Sequence, residues 1–359
     1  MSTVKINLKD CSLEEIADLC KKLEIEPFRA KQIAHWVYGK GASSINQISN
    51  LSLSLRAKLS QYATISNLEV VTKERSSKDG TTKYLWKLAD EHTIETVLMP
   101  YEGKTQSKSR VTVCISTQVG CAMGCTFCAT GIQGFKRNLT SGEIVDQVIQ
   151  INKDLTERDP DKRVTNVVIM GMGEPLLNYE NTLKAIKIFG SLLEIGMRRI
   201  TLSTCGIVPK IERLAEENIP IVLAISLHAP NDDLRNQIMP INQKYPLEIL
   251  LAACKNYVKK TGRRITFEYS LIDQVNDSQL HARQLSDLLQ NLLCHVNLIP
   301  LNPVKESGYL RPQKDKVISF KKVLEKEGIQ VSIREEKGVE ILAACGQLCQ
   351  KEAKKREWD

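Results

Sequence analysis

Apolar residues near the start of the chain recur every three or four positions. Leu13, Ile16, Ala17, Leu19, Cys20 and Leu23 fall on one helical face, as do Ile33, Trp36 and Val37, and then Leu51, Leu55 and Leu59. Residues 1–62 therefore predict a small helical domain. From 63 to 106 the period shortens to two, through Leu68, Val70, Tyr84, Trp86 and Leu88. The polar run Ser76–Thr82 reads as a hairpin turn, which makes this stretch a short β-rich linker.

A third pattern runs over 107–340. Short β-branched runs stand at Val111–Ile115, Val164–Met170, Arg199–Leu202, Ile221–Ile225, Ile265–Tyr269 and His295–Ile299. Amphipathic helical stretches separate them, one opened by the capping-box sequence Thr140–Glu143. Strand and helix repeated six times predict parallel β/α units. Six are too few for a closed eight-stranded barrel. An open or partial barrel, or a doubly wound sheet, satisfies the pattern, and either gathers its chemistry at the C-terminal ends of the strands. Residues 341–359 form a small-residue loop around Cys345 and a basic tail.

Composition narrows the class. At 42% hydrophobic and 26% charged, the chain is neither disordered nor fibrous. No apolar run reaches the roughly 18 residues of a membrane span, and the first ten residues carry no signal core. The expectation is a cytosolic protein. The net charge of +8 permits an anionic partner without demanding one. Eleven cysteines are unusual in a reducing compartment, where metal binding or thiol chemistry explains them better than disulfides.

Three of them form one group, Cys121, Cys125 and Cys128, spaced C-x3-C-x2-C directly after the first strand. Gly120 and Gly124 let the backbone fold around the sulfurs. No fourth Cys or His lies nearby, and structural zinc normally takes four protein ligands. Three thiolates suit a [4Fe-4S] cluster with one iron left open better. Gly171–Pro175 follows the second strand. Ser203, Ser226, His228 and Asn302 mark the ends of the third, fourth and sixth, placed to suit a ribose and a carboxylate. Cys11, Cys20, Cys254 and Cys294 fall in helical patterns and read as core. Cys205 and Cys349 lean the same way.

The cysteine triple resembles the radical S-adenosylmethionine superfamily. Eight segments make the resemblance narrower: RAKQIAHWVY (29–38), IETVLMP (94–100), CISTQVGCAMGCTFCATG (114–131), NVVIMGMGEPLLN (166–178), AISLHAP (224–230), MPIN (239–242), VNLIPLNP (296–303) and AACGQL (343–348). Together they resemble the radical-SAM adenine C2-methyltransferases of 23S rRNA and tRNA. The resemblance implies a partial (β/α)6 barrel, one [4Fe-4S] cluster and S-adenosylmethionine. It implies that Cys121, Cys125 and Cys128 are the cluster ligands. Cys345 would be the cysteine that becomes S-methylated, Cys114 its resolving partner through a disulfide, and Glu95 a proton acceptor. Gly173, Glu174, Ser203, Ser226, Leu227, His228 and Asn302 match cofactor-contacting positions.

The implied partners are rRNA, tRNA and an electron donor such as flavodoxin or ferredoxin, with the protein a monomer. The helical domain, carrying nine basic against six acidic residues, is the candidate RNA-docking unit through Arg29, Lys31, Arg56 and Lys58. Two departures from the family pattern stand out: Cys205 in place of a usual Ser, and Lys337-Gly-Val-Glu340-Ile in place of Arg-Gly-x-Asp-Ile. The alternatives are the related C8-adenosine methyltransferases, which share the cysteines, and a non-catalytic iron–sulfur or zinc RNA-binding module. The latter would not need Cys114 or Cys345.

Overall fold

A computed structural model describes residues 5–102 and 109–349; the basic tail, including Lys351–Arg356, lies outside them. Its core is one ten-stranded sheet. Seven strands run parallel in chain order: Arg110–Cys114, Asn166–Ile169, Ile200–Thr204, Val222–Ser226, Ile265–Leu271, Cys294–Pro300 and Val331–Ile333. The first six are those the β-branched runs predict. The seventh escapes the pattern because it has three residues and none is fully buried. Cys294 opens the sixth strand and does not belong to a helix.

Each parallel connection carries a helix, among them Ser141–Arg158, Tyr179–Ser191, Leu247–Thr261, Gln279–Leu289 and Lys314–Lys326. The Thr140–Glu143 capping box is present in both directions, so two of the orphan N–H groups at that helix start are satisfied. Among the described residues no pairing joins the outer strands, and the barrel is open.

The stretch 63–106 does more than link. Glu69–Arg75 and Thr82–Lys87 form the expected hairpin, and Thr93–Tyr101 follows antiparallel. This last strand pairs antiparallel with Arg110–Cys114, placing Val97 opposite Cys114. Three antiparallel strands thus extend the barrel sheet beyond its first parallel strand.

A buried polar knot fixes that join. Gln147, on the first barrel helix, accepts from the Ser116 backbone N–H and donates to the Ser116 carbonyl, both at 2.8 Å. The Ser116 hydroxyl donates to the Glu95 carbonyl at 2.6 Å and accepts from Met172 N at 2.9 Å. Thr96 Oγ1 bonds Gln147 as well, and Trp86 Nε1 donates to Thr96. Helix, hairpin, first strand and the loop after the second strand meet here.

The N-terminal helices, Leu13–Lys22, Arg29–Ala34 and Leu53–Tyr62, follow a 3-10 turn, Leu8–Asp10, that docks on the first barrel helix. Lys9, fully buried, pairs with buried Asp146 at 2.5 Å and donates to Asn67 at 2.8 Å. Asp146 also accepts from Leu68 N. Asp10 accepts from Gly142 N, where any Cβ would meet Asn7 and Asp10 at 2.9 Å. Asp146→Ala leaves an uncompensated buried ammonium, so it should destabilise the protein by about 3–5 kcal/mol in chemical denaturation. The double change Lys9→Met with Asp146→Leu should cost far less.

Candidate active site

Alternate residues of the parallel strands face the barrel interior, and their upper members build a cavity at the strands' C-terminal ends. Met170, Ser203, Ser226, Ser270 and Ile299 line it, with Cys121, Cys125 and Cys128 on one wall. Its lining mixes apolar side chains with a few convergent polar groups, the make-up of a small-molecule cofactor site. Gly120 and Gly124 both take the left-handed conformation the loop needs, at φ +75° and +64°. A Cβ on Gly120 would sit 1.9 Å from the Gly134 carbonyl oxygen.

Burial is the leading cause that raises all three thiols, Cys121 to about 12. Among the described residues no three Cys, His, Asp or Glu side chains are grouped as ligands of a single ion. Thiolates of a four-iron cluster bind separate irons and need not meet at a point. Three soft sulfurs on one wall of a cavity fit such a cluster.

The rest of the lining fits an organic cofactor. Gly173, at φ +102°, passes so close to Gln118 that a Cβ would lie 2.5 Å from its Cβ. Glu174 accepts from Leu176 N at 2.9 Å and Cys205 N at 2.8 Å, yet burial still raises its carboxyl above the usual range. Asn302 Oδ1 is buried with no partner in the cavity wall, an acceptor waiting for a donor. Phe127 meets His228 edge-on at 5.0 Å.

His228 sits at φ +58°, an unusual conformation for a residue with a side chain. It is held from two sides: Nδ1 accepts from Ser270 N at 2.9 Å, and Asn276 Nδ2 donates to its carbonyl at 2.8 Å. Burial lowers its pKa to about 3, with the nearby Arg235 cation adding to the effect.

Cys345 lies in the wall of this cavity and also in that of a second one, which it shares with Cys114, Tyr101, Met170 and Arg334. The Cys345 loop rests on the cluster segment. Ala129 N donates to Gly346 O at 2.8 Å, Thr130 Oγ1 donates to Leu348 O, and Asn302 Nδ2 donates to Cys345 O at 3.4 Å. Burial, with the Cys345 charge beside it, raises the Cys114 thiol to about 12, while Arg334 pulls the other way. No disulfide joins any of the eleven cysteines.

The structure therefore brings Cys121, Cys125, Cys128, Gly173, Glu174, Ser203, Ser226, His228, Asn302 and Cys345 to one cavity. Leu227 is fully buried outside its lining and contributes its carbonyl to Arg235 Nε at 3.1 Å. Glu95 also lies outside the lining: it pairs with buried Lys83 at 3.3 Å and accepts from Cys349 N at 3.0 Å.

Sequence reasoning missed three neighbours. Cys205, read as structural, lines the cofactor cavity. Arg235, fully buried, donates to the Cys205, Ser226 and Leu227 carbonyls and to Asn242 Oδ1, tying two strand ends together. Arg334 stands 3.9 Å from Glu268 where the cavities meet. Only the position of Arg235 inside the LRNQIMPIN run could have signalled it.

Cluster-type cysteines at the end of the first strand of an open parallel barrel, with strand-end polar groups around the same cavity, define a radical S-adenosylmethionine enzyme. The Radical SAM superfamily model matches residues 115–284, and the model of the ribosomal RNA large subunit methyltransferase N-terminal domain matches residues 6–65. The chain is a radical-SAM methyltransferase and belongs to the RlmN family of dual-specificity RNA methyltransferases. It is 50% identical over 346 residues to a Desulforamulus reducens protein named "Probable dual-specificity RNA methyltransferase RlmN", covering 96% of both chains. A Thermotoga maritima protein of the same name is 47% identical over 352 residues, covering 98% of this chain and 99% of that protein. A crystal structure of a radical SAM methyltransferase from Sphaerobacter thermophilus superposes with a TM-score of 0.90 at 45% identity, over 96% of this chain and 99% of that one.

The depressed His228 pKa has a pH consequence. Between about pH 6.5 and 3 the unfolded imidazole binds a proton that the folded one refuses. Stability from this group is complete above pH 6.5 and falls as the pH drops toward 3. His228→Gln should flatten the pH dependence of the urea midpoint across that window.

Proposed function

We propose that this protein methylates C2 of an unpaired adenosine, in 23S rRNA near the peptidyl-transferase region and in tRNA 3′ of the anticodon. The single observation that carries the reading is the position of Cys345, in the walls of both the cofactor cavity and the Cys114 cavity. C2 of adenine is electron-poor and a bad nucleophile, so direct methyl transfer from a sulfonium fails there. A thiol that first accepts the methyl and then presents it as a carbon radical solves this. The family relatives' dual-specificity name supports two RNA classes.

Cys121, Cys125 and Cys128 would hold one [4Fe-4S] cluster. When bound, the cluster supplies the electron that splits S-adenosylmethionine into methionine and a 5′-deoxyadenosyl radical. Glu174, Ser203, Ser226, His228 and Asn302 orient that cofactor, with the Gly173 backbone against it and Leu227 acting through its backbone. The Cys345 thiolate attacks the methyl carbon of one S-adenosylmethionine, forming a thioether and releasing S-adenosylhomocysteine. The 5′-deoxyadenosyl radical would take one hydrogen atom from that methyl to become 5′-deoxyadenosine, and the carbon radical left behind would bond C2, leaving RNA attached to Cys345 as a radical adduct.

A base then removes the C2 proton. Glu95 is the proposed acceptor; its bond to Cys349 N ties it to the same loop. The Cys114 thiolate attacks the Cys345 sulfur: a disulfide forms, the leaving carbon takes a proton to become the base's methyl group, and the adduct's one surplus electron would return to the cluster. An electron donor of the flavodoxin or ferredoxin kind serves a monomeric, cytoplasmic enzyme. The cavity pair favours this over a non-catalytic module, which has no use for Cys114 beside Cys345.

Three outcomes are expected. Purified protein should carry +14 Da on Cys345, seen by peptide mass spectrometry; the mass on Cys349 instead would reassign the role. Cys345→Ala should attach no RNA, whereas Cys114→Ala should accumulate a nuclease-sensitive protein–RNA band on a denaturing gel. Alanine at Cys121, Cys125 or Cys128 should abolish iron loading, while Cys205→Ser should retain about four irons per chain.

A further inference from the structure

Barrel interiors are ordinarily filled by layers of Val, Ile and Leu. Here most of the lower, inward-facing positions are polar, Thr112, Asn166, Thr201, Thr266, Asn297 and Ser332 against Val168 and Val222, and they line an open lumen. Its inner end shares Met170, Glu268 and Arg334 with the cofactor cavity, and Met99 and Tyr101 with the cavity of Cys114 and Cys345. Its outer end, at the starts of the strands, carries Arg110, Arg198 and Arg199.

All three arginines are exposed, and among the described residues none has a carboxylate at ion-pair distance. Arg110 lies over the Tyr101 ring at 4.1 Å, which fixes its side chain at the rim. The cations expected to dock RNA are largely engaged elsewhere. Arg29 donates to Gln32 and the Asn50 carbonyl, Arg56 to the Leu51 and Asn46 carbonyls, and Lys58 pairs with Glu24.

We propose that this polar lumen is the passage by which the target adenosine reaches Cys345, and that Arg110, Arg198 and Arg199 hold RNA phosphates at its mouth. The inference rests on the RNA-methylating reading above and adds the route and the docking surface. An adenosine must leave its stack to be modified at C2. Small polar walls accept a flipped base that large aliphatic layers would exclude. Phosphate contacts at the rim fix register without reading sequence.

The test is binding of a stem–loop RNA with one unpaired adenosine to the full-length protein, followed by fluorescence anisotropy across a salt series. Each of Arg110→Gln, Arg198→Gln and Arg199→Gln should weaken binding and lower the salt slope by about one. Lysine at the same positions should restore the slope, and Arg29→Gln with Arg56→Gln should leave it unchanged. Melting temperatures check that these exposed substitutions spare the fold.

Thr201→Leu narrows the passage. It should leave RNA binding and the +14 Da on Cys345 in place while slowing RNA methylation about tenfold or more. Wild-type slopes in the rim variants, or loss of slope only in the Arg29 and Arg56 variant, would overturn the docking surface. Unimpaired methylation by Thr201→Leu would overturn the passage. Failure of the wild-type protein to bind the RNA at all would instead strike the functional reading itself.

Discussion

Everything that converges on the cofactor cavity is hung from one buried amide. Gln147 imitates a neighbouring strand, giving and taking a hydrogen bond at the Ser116 backbone where the first parallel strand has just ended. A buried backbone polar group without such a partner costs about as much as a lost hydrogen bond. Satisfying it from a helix side chain fixes where the chain turns toward the cluster loop. The Ser116 hydroxyl carries the constraint on to Glu95 and to Met172, and so to the glycine loop that lines the cavity. Because the members share hydrogens, the knot favours one arrangement of hairpin, helix and two loops.

That join gives the antiparallel extension its chemical meaning. A hairpin beside a barrel is often decoration. Here the extension's last strand sits against Cys114 in register and brings Glu95 beside the start of the Cys349 segment. The proposed resolving thiol, the proposed proton acceptor and the thiol-bearing loop are thus held by backbone pairing on one side of the cavity. The Cys121–Cys128 wall is shaped by close glycine contacts and tied to that loop through Ala129 and Thr130.

Much of this was legible in the chain. The six β-branched runs, the capping box at Thr140 and the hairpin turn at Ser76–Thr82 each report a local preference, and local preferences are what a single sequence displays. The Cys121–Cys128 spacing and the strand-end polar residues were legible for the same reason. What could not be read is non-local. The pairing of Thr93–Tyr101 with Arg110–Cys114 depends on register, which no run of residues states. Cys205 resembled a core thiol because its neighbours in sequence are small or apolar and none is charged, while its neighbours in space are Glu174 and the cavity. The four carbonyl and amide acceptors of Arg235 come from three separate loops, and an arginine in an amphipathic helix ordinarily faces water. Val331–Ile333 is too short to show alternation.

The Cys345 loop has one more consequence. Cys345 is part of two walls at once, and the loop is pinned by Ala129, Thr130 and Asn302. Carriers that shuttle a group between separate chambers need a swinging arm, and their pace is then set by segment motions of microseconds or longer. A carrier built into the partition needs only a turn about one side-chain bond, a motion of picoseconds to nanoseconds. For the proposed chemistry, loading and unloading are two faces of a fixed wall. The slow coordinate of the cycle is therefore displaced from the protein's own loop to the arrival and departure of the much larger nucleic acid.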